Sequence, residues 1–273
     1  MGKFDGILIC TDLDGTLFRN DKTVSHENRE AIEYFKREGG YFTFITGRMP
    51  CYSTTAYRAA APNVPFGCAN GGAVYDGAAN KYIWKQEIDP SVLELVEYID
   101  ERFSDIGIQI YMFDKVYFAR ENDLMVKFRG LTGLPALFCD YHSVSEPMAK
   151  VIFGSESEET LLDIAKALRE HPLAENFDFI RSEKTLFEVL PKGVTKGLAL
   201  EKLVDYLKID PRRTVAIGDY DNDIGMFKSA GLSIAVSNAC EAALAAADRV
   251  TVSNEESAIA RVIADIENGE YLI

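Results

Sequence analysis

The chain has 273 residues, 47% hydrophobic and 26% charged, a composition typical of a globular protein rather than a disordered or fibrous one. Such a chain can form one large domain or two modest ones, with a core that needs no disulfide or structural metal. With 29 basic and 43 acidic residues, the formal net charge of −14 argues against nucleic acid and anionic membranes as partners. An anionic substrate would need a local positive charge at its binding site.

Five scattered cysteines, none in a C-x-x-C motif, indicate a reducing compartment rather than a disulfide framework. Cys10 and Cys68 lie in apolar runs and are predicted to be core residues. The first ten residues lack the apolar stretch of a signal peptide, and no apolar run is long enough to cross a bilayer. We therefore expect a cytoplasmic protein without a membrane partner, as a monomer or a homodimer.

Strands and helices alternate in the first and last thirds of the chain. In the first third, the pattern predicts strands at 7–10, 41–45 and 66–69, helices at 25–38 and 53–61, the turn Asn70-Gly71-Gly72 and a hairpin around Asp76-Gly77. In the last third it predicts helices from 195, at 222–230 and at 257–266, and strands at 214–217, 232–236 and 249–252. This alternation is typical of a doubly wound parallel sheet.

The middle third follows a different pattern. Helices at 91–103 and 158–170 are mixed with strand-like runs at 109–113, 116–119, 151–153 and 186–190 and with an irregular segment before residue 151, which suits an α+β insert. The sequence thus predicts an α/β domain, formed by residues 1–86 and 189–273, that is interrupted by a second domain at 87–188.

The densest cluster of chemically useful residues is Asp12-Leu13-Asp14-Gly15-Thr16-Leu17, directly after the first strand. In an open α/β sheet, ligands bind at the carboxyl ends of the strands. An ionised aspartate there can attack an electrophile or bind a hard cation, and a second one can act as acid and base. The alternative is a solvated turn, but two adjacent carboxylates are costly without a cation.

Two further segments could supply positive charge or a hydroxyl group. Thr46-Gly47-Arg48 follows the second strand and could bind oxyanions, although for this tripeptide taken alone an ordinary turn with a surface arginine is the better explanation. Lys196 lies in the first turn of a predicted helix, where the helix dipole disfavours a cation. A place opposite a phosphate and a carboxylate would explain Lys196; the alternative is a solvated side chain.

A second acidic cluster, Gly218-Asp219-Tyr220-Asp221-Asn222-Asp223, follows the strand at 214–217. An acidic helix start explains Asp221 and Asp223 but leaves Asp219 unexplained. The two acidic clusters follow strands that would lie side by side in this topology. Carboxylates without a Cys/His cluster suit Mg²⁺ rather than zinc. A cation beside a carboxylate, a hydroxyl and a lysine indicates a site for phosphoryl transfer.

The motifs D-x-D-G-T-L, T-G-R, G-V-[ST]-K-G and G-D-x-x-N-D, in this order, resemble those of the haloacid dehalogenase superfamily. The insert between the second and third motifs resembles the cap of the Cof-type subfamily IIB phosphatases. The resemblance implies a Rossmann-like core with an inserted cap that sets substrate specificity.

The resemblance also implies roles for individual residues. Asp12 would be the nucleophile and Asp14 the general acid/base. Mg²⁺ would bind the Asp12 carboxylate, the main-chain carbonyl of Asp14, and Asp219, with Asp223 supporting the metal through water. Phosphate and substrate binding would fall to a set drawn from three motifs: Thr46, Gly47, Arg48, Lys196 and Asn222. Asn70-Gly71-Gly72 is similar to a segment that lines the site in this family.

The leading functional interpretation is a Mg²⁺-dependent phosphatase for small phosphorylated metabolites, with sugar phosphates as the first expectation. One alternative is a phosphomutase of the phosphomannomutase type, which shares this cap class and returns the phosphoryl group to a sugar. Basic residues are scattered through the insert without a clear cluster, which favours hydrolysis. The other alternative is a sensor without turnover, and the presence of both Asp12 and Asp14 argues against it.

Overall fold

The computed structural model describes residues 2–271. The strands, numbered β1 to β13 in chain order, are Leu8–Thr11, Tyr41–Phe44, Phe66–Cys68, Ala73–Asp76, Lys81–Lys85, Gly107–Met112, Val116–Arg120, Met148–Gly154, Phe177–Glu183, Leu186–Pro191, Thr214–Gly218, Leu232–Val236 and Arg249–Thr251. The helices, numbered α1 to α9, are His26–Arg37, Thr54–Ala60, Val92–Asp100, Asp123–Thr132, Glu158–Glu170, Lys196–Leu207, Ile224–Ser229, Glu241–Ala246 and Ala258–Glu267. None of these helices combines the length and the hydrophobicity needed to cross a bilayer.

The described chain divides into two compact units. The first contains residues 2–48, 53–85 and 195–271, and the second contains residues 49–52 and 86–194. The sequence places the end of the insert at residue 188, whereas the second unit continues to Val194. The difference arises because β10 stays paired with β9 as far as Pro191, which keeps this stretch within the sheet of the second unit.

The first unit contains a five-stranded sheet in the order β13-β12-β11-β1-β2, and every neighbouring pair is parallel. This confirms the predicted doubly wound sheet. Cys10 in the central strand β1 pairs with Ala216 of β11 on one side and with Thr43 of β2 on the other. The carboxyl ends of β1, β2 and β11 therefore lie together at one edge of the sheet.

The apolar faces of the first unit follow the predicted periodicity. Leu200 and Leu203 of α6 are buried with Leu8, Cys10 and Ala216 of the sheet in one hydrophobic cluster. Cys10 and Cys68 are both buried, as predicted. The predicted strand at 66–69 is also present, but β3 pairs antiparallel with β4 in a separate three-stranded sheet and meets the parallel sheet through one bridge, Ile45 to Gly67.

The second unit is built on an antiparallel sheet in the order β7-β6-β8-β10-β9. Apolar residues of α3 and α5, among them Leu95 and Ile164, share a buried cluster with Ile108 and Val151 of the sheet. The sequence predicts an irregular segment where the structure has α4. This helix is capped by the Asn122 side chain, and it carries Leu131 at 89% exposure, so its apolar residues do not form a stripe facing the core.

Candidate active site

The loop that follows β1 brings the first acidic pair to the edge of the parallel sheet. The backbone N–H of Asp12 donates to the carbonyl of Ile217 at 2.8 Å, so the pairing of β1 with β11 extends to the aspartate itself. Gly15 has φ +91°, and a Cβ atom there would lie 2.5 Å from Oδ2 of Asp219. Glycine is needed at this position because it accepts the left-handed backbone and leaves room for the carboxylate. The loop after β1, which contains Asp12 and Asp14, and the loop after β11, which contains Asp219 and Asp223, are the two acidic loops of the site, and they are in direct contact.

Lys196 bridges two buried carboxylates. Its Nζ donates to Oδ1 of Asp12 at 2.5 Å and to Oδ1 of Asp223 at 2.6 Å. All three side chains are close to fully buried, with exposures of 11% or less. Lys196 is the first residue of α6, whose cap Thr195 accepts a hydrogen bond from Leu198. The two carboxylates account for an ammonium at a helix end where the dipole disfavours it.

The second acidic loop is held by its own backbone. Oδ2 of Asp223 accepts hydrogen bonds from the backbone N–H groups of Asp219 and Tyr220, at 2.8 and 3.0 Å. Asp219 accepts a 2.7 Å hydrogen bond on Oδ1 from the hydroxyl of Thr16. Asp223 therefore has both oxygens engaged, whereas Asp12 and Asp219 each use Oδ1 and keep Oδ2 open within the described part of the chain.

This cluster carries more negative charge than its single lysine can offset. Burial raises the pKa of Asp12 well above its usual range, Lys196 works against this, and the neighbouring aspartates add to it. Burial, reinforced by Asp223, also raises the pKa of Asp219 to about 6. For Lys196 burial acts to lower the pKa, but its two carboxylate partners outweigh burial and hold the value above the usual one.

The donor set fits a hard divalent cation. Asp12, Asp219 and Asp223 each offer one carboxylate oxygen, and these three oxygens lie within 4.8 Å of one another. No sulfur or imidazole belongs to the group, and oxygen-only donors are the ligands that Mg²⁺ and Ca²⁺ prefer. The open Oδ2 atoms of Asp12 and Asp219 suit direct ligation, and the engaged Asp223 suits contact through water.

Asp14 has separate charge partners. Its carboxylate accepts two hydrogen bonds from Arg48, Nε to Oδ2 at 2.9 Å and Nη2 to Oδ1 at 2.8 Å. A third comes from Nζ of Lys22 to Oδ1, also at 2.8 Å. Burial alone would raise the pKa of Asp14, but Arg48 and Lys22 outweigh it and hold that pKa below its ordinary value. The sequence predicts a phosphate-binding role for Arg48, whereas here its guanidinium faces Asp14.

The remaining predicted residues lie beside the two acidic loops. Thr46 lies in the loop after β2, and its hydroxyl accepts a hydrogen bond from the backbone of Arg48 at 3.3 Å. Nδ2 of Asn222 donates to Oδ1 of Asn70 at 3.1 Å, and the Asn70 amide also lies against the backbone of Gly47. Asn70, in the turn after β3, thus connects two of the sequence motifs, T-G-R and G-D-x-x-N-D.

Gly71 explains how the turn after β3 reaches the site. Its φ is +99°, and a Cβ atom there would overlap the carbonyl of Thr195. Glycine at this position therefore lets the turn that carries Asn70 lie directly against the start of α6.

Three residues at the site were not assigned by the sequence analysis. Lys22 contacts Asp14, Thr16 donates to Asp219, and Nδ2 of Asn238 donates to the carbonyl of Gly15 at 2.9 Å. Thr16 belongs to the first motif, so its position next to the aspartates could have suggested a role. Lys22 and Asn238 lie in polar turns, where nothing in the local sequence distinguishes them from solvated residues.

Replacing Lys196 with methionine is expected to destabilise the metal-free protein. The substitution keeps the volume but leaves two buried carboxylates without a counter-charge, a change that typically costs about 3–5 kcal/mol. Protonation of the carboxyls would relieve the repulsion, so the loss should shrink as the pH falls. Urea unfolding in chelator at pH 7 and pH 5 measures both effects.

The matched control for this substitution is Lys208→Met, at the other end of the same helix. Lys208 is exposed and follows the last residue of α6. Its replacement should change the free energy of unfolding by a few tenths of a kcal/mol, as expected for a surface residue. Equal losses for the two variants would contradict the idea that the buried ammonium holds the carboxylates together.

Comparison with known proteins identifies the family. A family model described as haloacid dehalogenase-like hydrolase matches residues 9–263. A 5-amino-6-(5-phospho-D-ribitylamino)uracil phosphatase of Bacillus subtilis is 28% identical over 262 residues, which cover 94% of this chain and 96% of that protein.

Solved structures show the same fold. An X-ray structure from Thermotoga maritima is 27% identical, with a TM-score of 0.80, over 94% of this chain and 96% of that one. A sugar phosphatase of haloacid dehalogenase subclass IIB aligns with a TM-score of 0.83 over 95% of this chain and 98% of its own, and at 19% identity it shows likeness of fold alone. The protein therefore belongs to the family of haloacid dehalogenase-like hydrolases.

Proposed function

We propose that the protein is a Mg²⁺-dependent phosphatase that hydrolyses small phosphorylated metabolites through an aspartyl phosphate on Asp12. The observation that carries the proposal is the placement of Asp12 among Lys196, Asp219 and Asp223, at the carboxyl ends of two adjacent parallel strands. The excess negative charge of this cluster calls for a cation, and Oδ2 of Asp12, which accepts no hydrogen bond from the described residues, is available as a ligand or a nucleophile.

In the proposed reaction, an oxygen of Asp12 attacks the phosphorus atom and the bond to the leaving-group oxygen breaks. Asp14 first takes up a proton from solvent, because Arg48 and Lys22 favour its carboxylate form; it gives this proton to the leaving oxygen and then takes one from the water that hydrolyses the phospho-enzyme. Lys196, Thr46 and Asn222 hold the phosphoryl oxygens. Asp12, Asp219 and the carbonyl of Asp14 would hold a Mg²⁺ ion, which would supply positive charge to offset that of the phosphoryl group.

The division of positive charge supports distinct roles for the two aspartates. Asp14 already has two cationic partners, whereas Asp12 shares one lysine with Asp223. Added positive charge is therefore needed at Asp12 and not at Asp14. This is the arrangement expected if the cation and the transferred group bind on the Asp12 side.

The substrate class is proposed as the phosphate monoester of a sugar or a polyol. The Bacillus subtilis relative is named for a phosphorylated ribityl chain attached to a pyrimidine, and the subclass IIB structure is named a sugar phosphatase. The insert, represented by the second unit, is proposed to select the leaving group.

A panel of monoesters tests the substrate class. Hexose phosphates, pentose phosphates, polyol phosphates with and without a pyrimidine, and nucleoside monophosphates are compared by the release of inorganic phosphate. We expect the highest kcat/KM among the sugar and polyol esters. Preference for nucleotides would overturn the proposed class, and transfer of the phosphoryl group to a sugar in place of water would identify a mutase.

Metal removal is expected to abolish phosphate release. Mg²⁺ should restore activity better than Ca²⁺, because Ca²⁺ takes longer bonds and a higher coordination number that would misplace the Asp12 oxygen. The measurement is phosphate release after treatment with a chelator and titration with each metal. Full activity in excess chelator would contradict the proposed metal site.

A further inference from the structure

The carboxylate of Asp14 is held at three points. Arg48 donates to both of its oxygens in a bidentate pair, and Lys22 donates a second hydrogen bond to Oδ1. A carboxylate oxygen can accept two hydrogen bonds, so Oδ1 is filled and Oδ2 keeps one acceptor position. Together the two cations fix both the plane of the carboxyl group and the oxygen that remains available.

A tight turn brings Lys22 to this position, eight residues after Asp14. The backbone N–H of Arg19 donates to the carbonyl of Thr23, and that of Lys22 donates to the carbonyl of Arg19, both at 2.9 Å. Asp21 closes the turn by accepting from the backbone N–H and the hydroxyl of Thr23. The turn is therefore defined by its own hydrogen bonds, independently of the contact with Asp14.

The backbone of Lys22 has φ +63°, in the left-handed region where glycine is the usual residue. Glycine would relieve that conformation but could not contact Asp14. The lysine side chain reaches from the turn to the Asp14 carboxylate. Because this side chain is 63% exposed, it adds little buried area to the core. Among residues 2–271, its contact with Asp14 is the interaction of this side chain that bears on the site.

We propose that Lys22 and Arg48 are positioning residues, which hold the Asp14 carboxylate so that Oδ2 faces the proton it transfers. The inference rests on the proposed function, since it takes Asp14 as the general acid/base. It changes the role of Arg48 from binding the phosphoryl group to orienting Asp14. It also adds Lys22, which no motif contains.

The first test separates positioning from binding. Lys22→Met should lower kcat for a sugar phosphate about threefold to tenfold, with KM and the inhibition constant of inorganic phosphate unchanged. Lys22→Arg should recover most of the loss, because it restores a cation of similar reach. Arg48→Gln should lower kcat further, about 10- to 100-fold, again without weaker binding of phosphate.

Lys208→Met is the matched control for the lysine. Lys208 is exposed and also has a left-handed backbone, with φ +55°, so the substitution makes the same chemical change in the same conformation. It should leave kcat and KM at wild-type values. A loss equal to that of Lys22→Met would show that the effect is not specific to Asp14 and would overturn the inference.

The second test asks whether the two cations act through Asp14. Lys22→Met and Arg48→Gln are repeated in an Asp14→Ala background with the same sugar phosphate. If they act through Asp14, neither should cause a further loss there, because the group that they orient is gone. Full, additive losses in that background, or a raised inhibition constant for phosphate in Arg48→Gln, would overturn the inference.

The outcomes distinguish this inference from the proposed function. If Asp14→Ala itself has little effect on the sugar phosphate, the general acid/base role fails and the inference fails with it. If Asp14→Ala shows the expected loss but the other variants remain additive, the proposed function stands and only the positioning role is wrong.

Discussion

Asp12→Asn is expected to reduce the release of phosphate to background. The amide nitrogen and oxygen cannot form the acyl phosphate, and the substitution also removes a carboxylate from the proposed metal site. The fold should survive, because asparagine is nearly isosteric and its side-chain oxygen can still accept from Lys196. Loss of one buried negative charge also relieves repulsion from Asp219 and Asp223.

Two measurements besides turnover check the same substitution. Wild-type enzyme quenched with acid during turnover should carry an acid-stable phosphoryl group that hydroxylamine removes, and Asp12→Asn should carry none. Mg²⁺ should raise the melting temperature of the metal-free wild-type protein, because a ligand that binds the folded state stabilises it. Asp12→Asn should lose much of that increase.

The control for this variant is Asp221→Asn. Asp221 lies in the second acidic loop, is exposed, and accepts a hydrogen bond from the thiol of Cys240. Its replacement removes the same charge close to the site and should preserve turnover. Substantial activity in Asp12→Asn, or equal inactivation of both variants, would contradict covalent catalysis by Asp12.

Asp14→Asn should slow the reaction about 10²–10⁴-fold for a sugar phosphate, the usual contribution of general acid–base catalysis. The variant keeps the nucleophile and the main-chain carbonyl, but it loses the group that donates and accepts the proton. The loss should be much smaller for an aryl or acyl phosphate, since these leaving groups need little protonation. Comparing kcat across leaving groups of increasing basicity measures this dependence.

The same variant offers a second observable. With a good leaving group, phosphorylation of Asp12 should proceed while hydrolysis of the phospho-enzyme lacks its base. The phospho-enzyme should therefore accumulate and be trapped by acid quench. Equal losses for good and poor leaving groups, with no trapped intermediate, would exclude Asp14 as the acid/base.

The sequence by itself determined the parallel sheet and the adjacency of the two acidic loops. Short apolar runs that alternate with amphipathic helices are typical of a doubly wound sheet, and in such a sheet acidic residues directly after the strands lie at its carboxyl edge. The structure has β1 beside β11, with Asp12 and Asp219 following them. Lys196 could be singled out because a cation at a helix start needs a nearby anion.

Helix α4 was not predicted, because its sequence lacks the hydrophobic periodicity of an amphipathic helix. Its caps, Asn122 and Gly133, are common loop residues, and one of its leucines points into solvent, so the usual apolar stripe is missing. The edge strand β9 was missed for a related reason: most of its residues are neither buried nor fully exposed, which blurs the alternation.

The partners of the charged side chains were decided by the tertiary structure alone. Arg48 follows β2, and Asp12 and Asp14 follow the neighbouring strand β1. Strand pairing does not specify which of the two aspartates Arg48 contacts; the hydrogen bonds of its side chain show that it is Asp14. Lys22 reaches the same carboxylate because a turn with φ +63° folds the loop back. Sequence patterns specify which strand ends meet, since that follows from backbone periodicity. Distances of 2.8 Å between loop side chains depend on turn geometry, which the pattern of residue types leaves open.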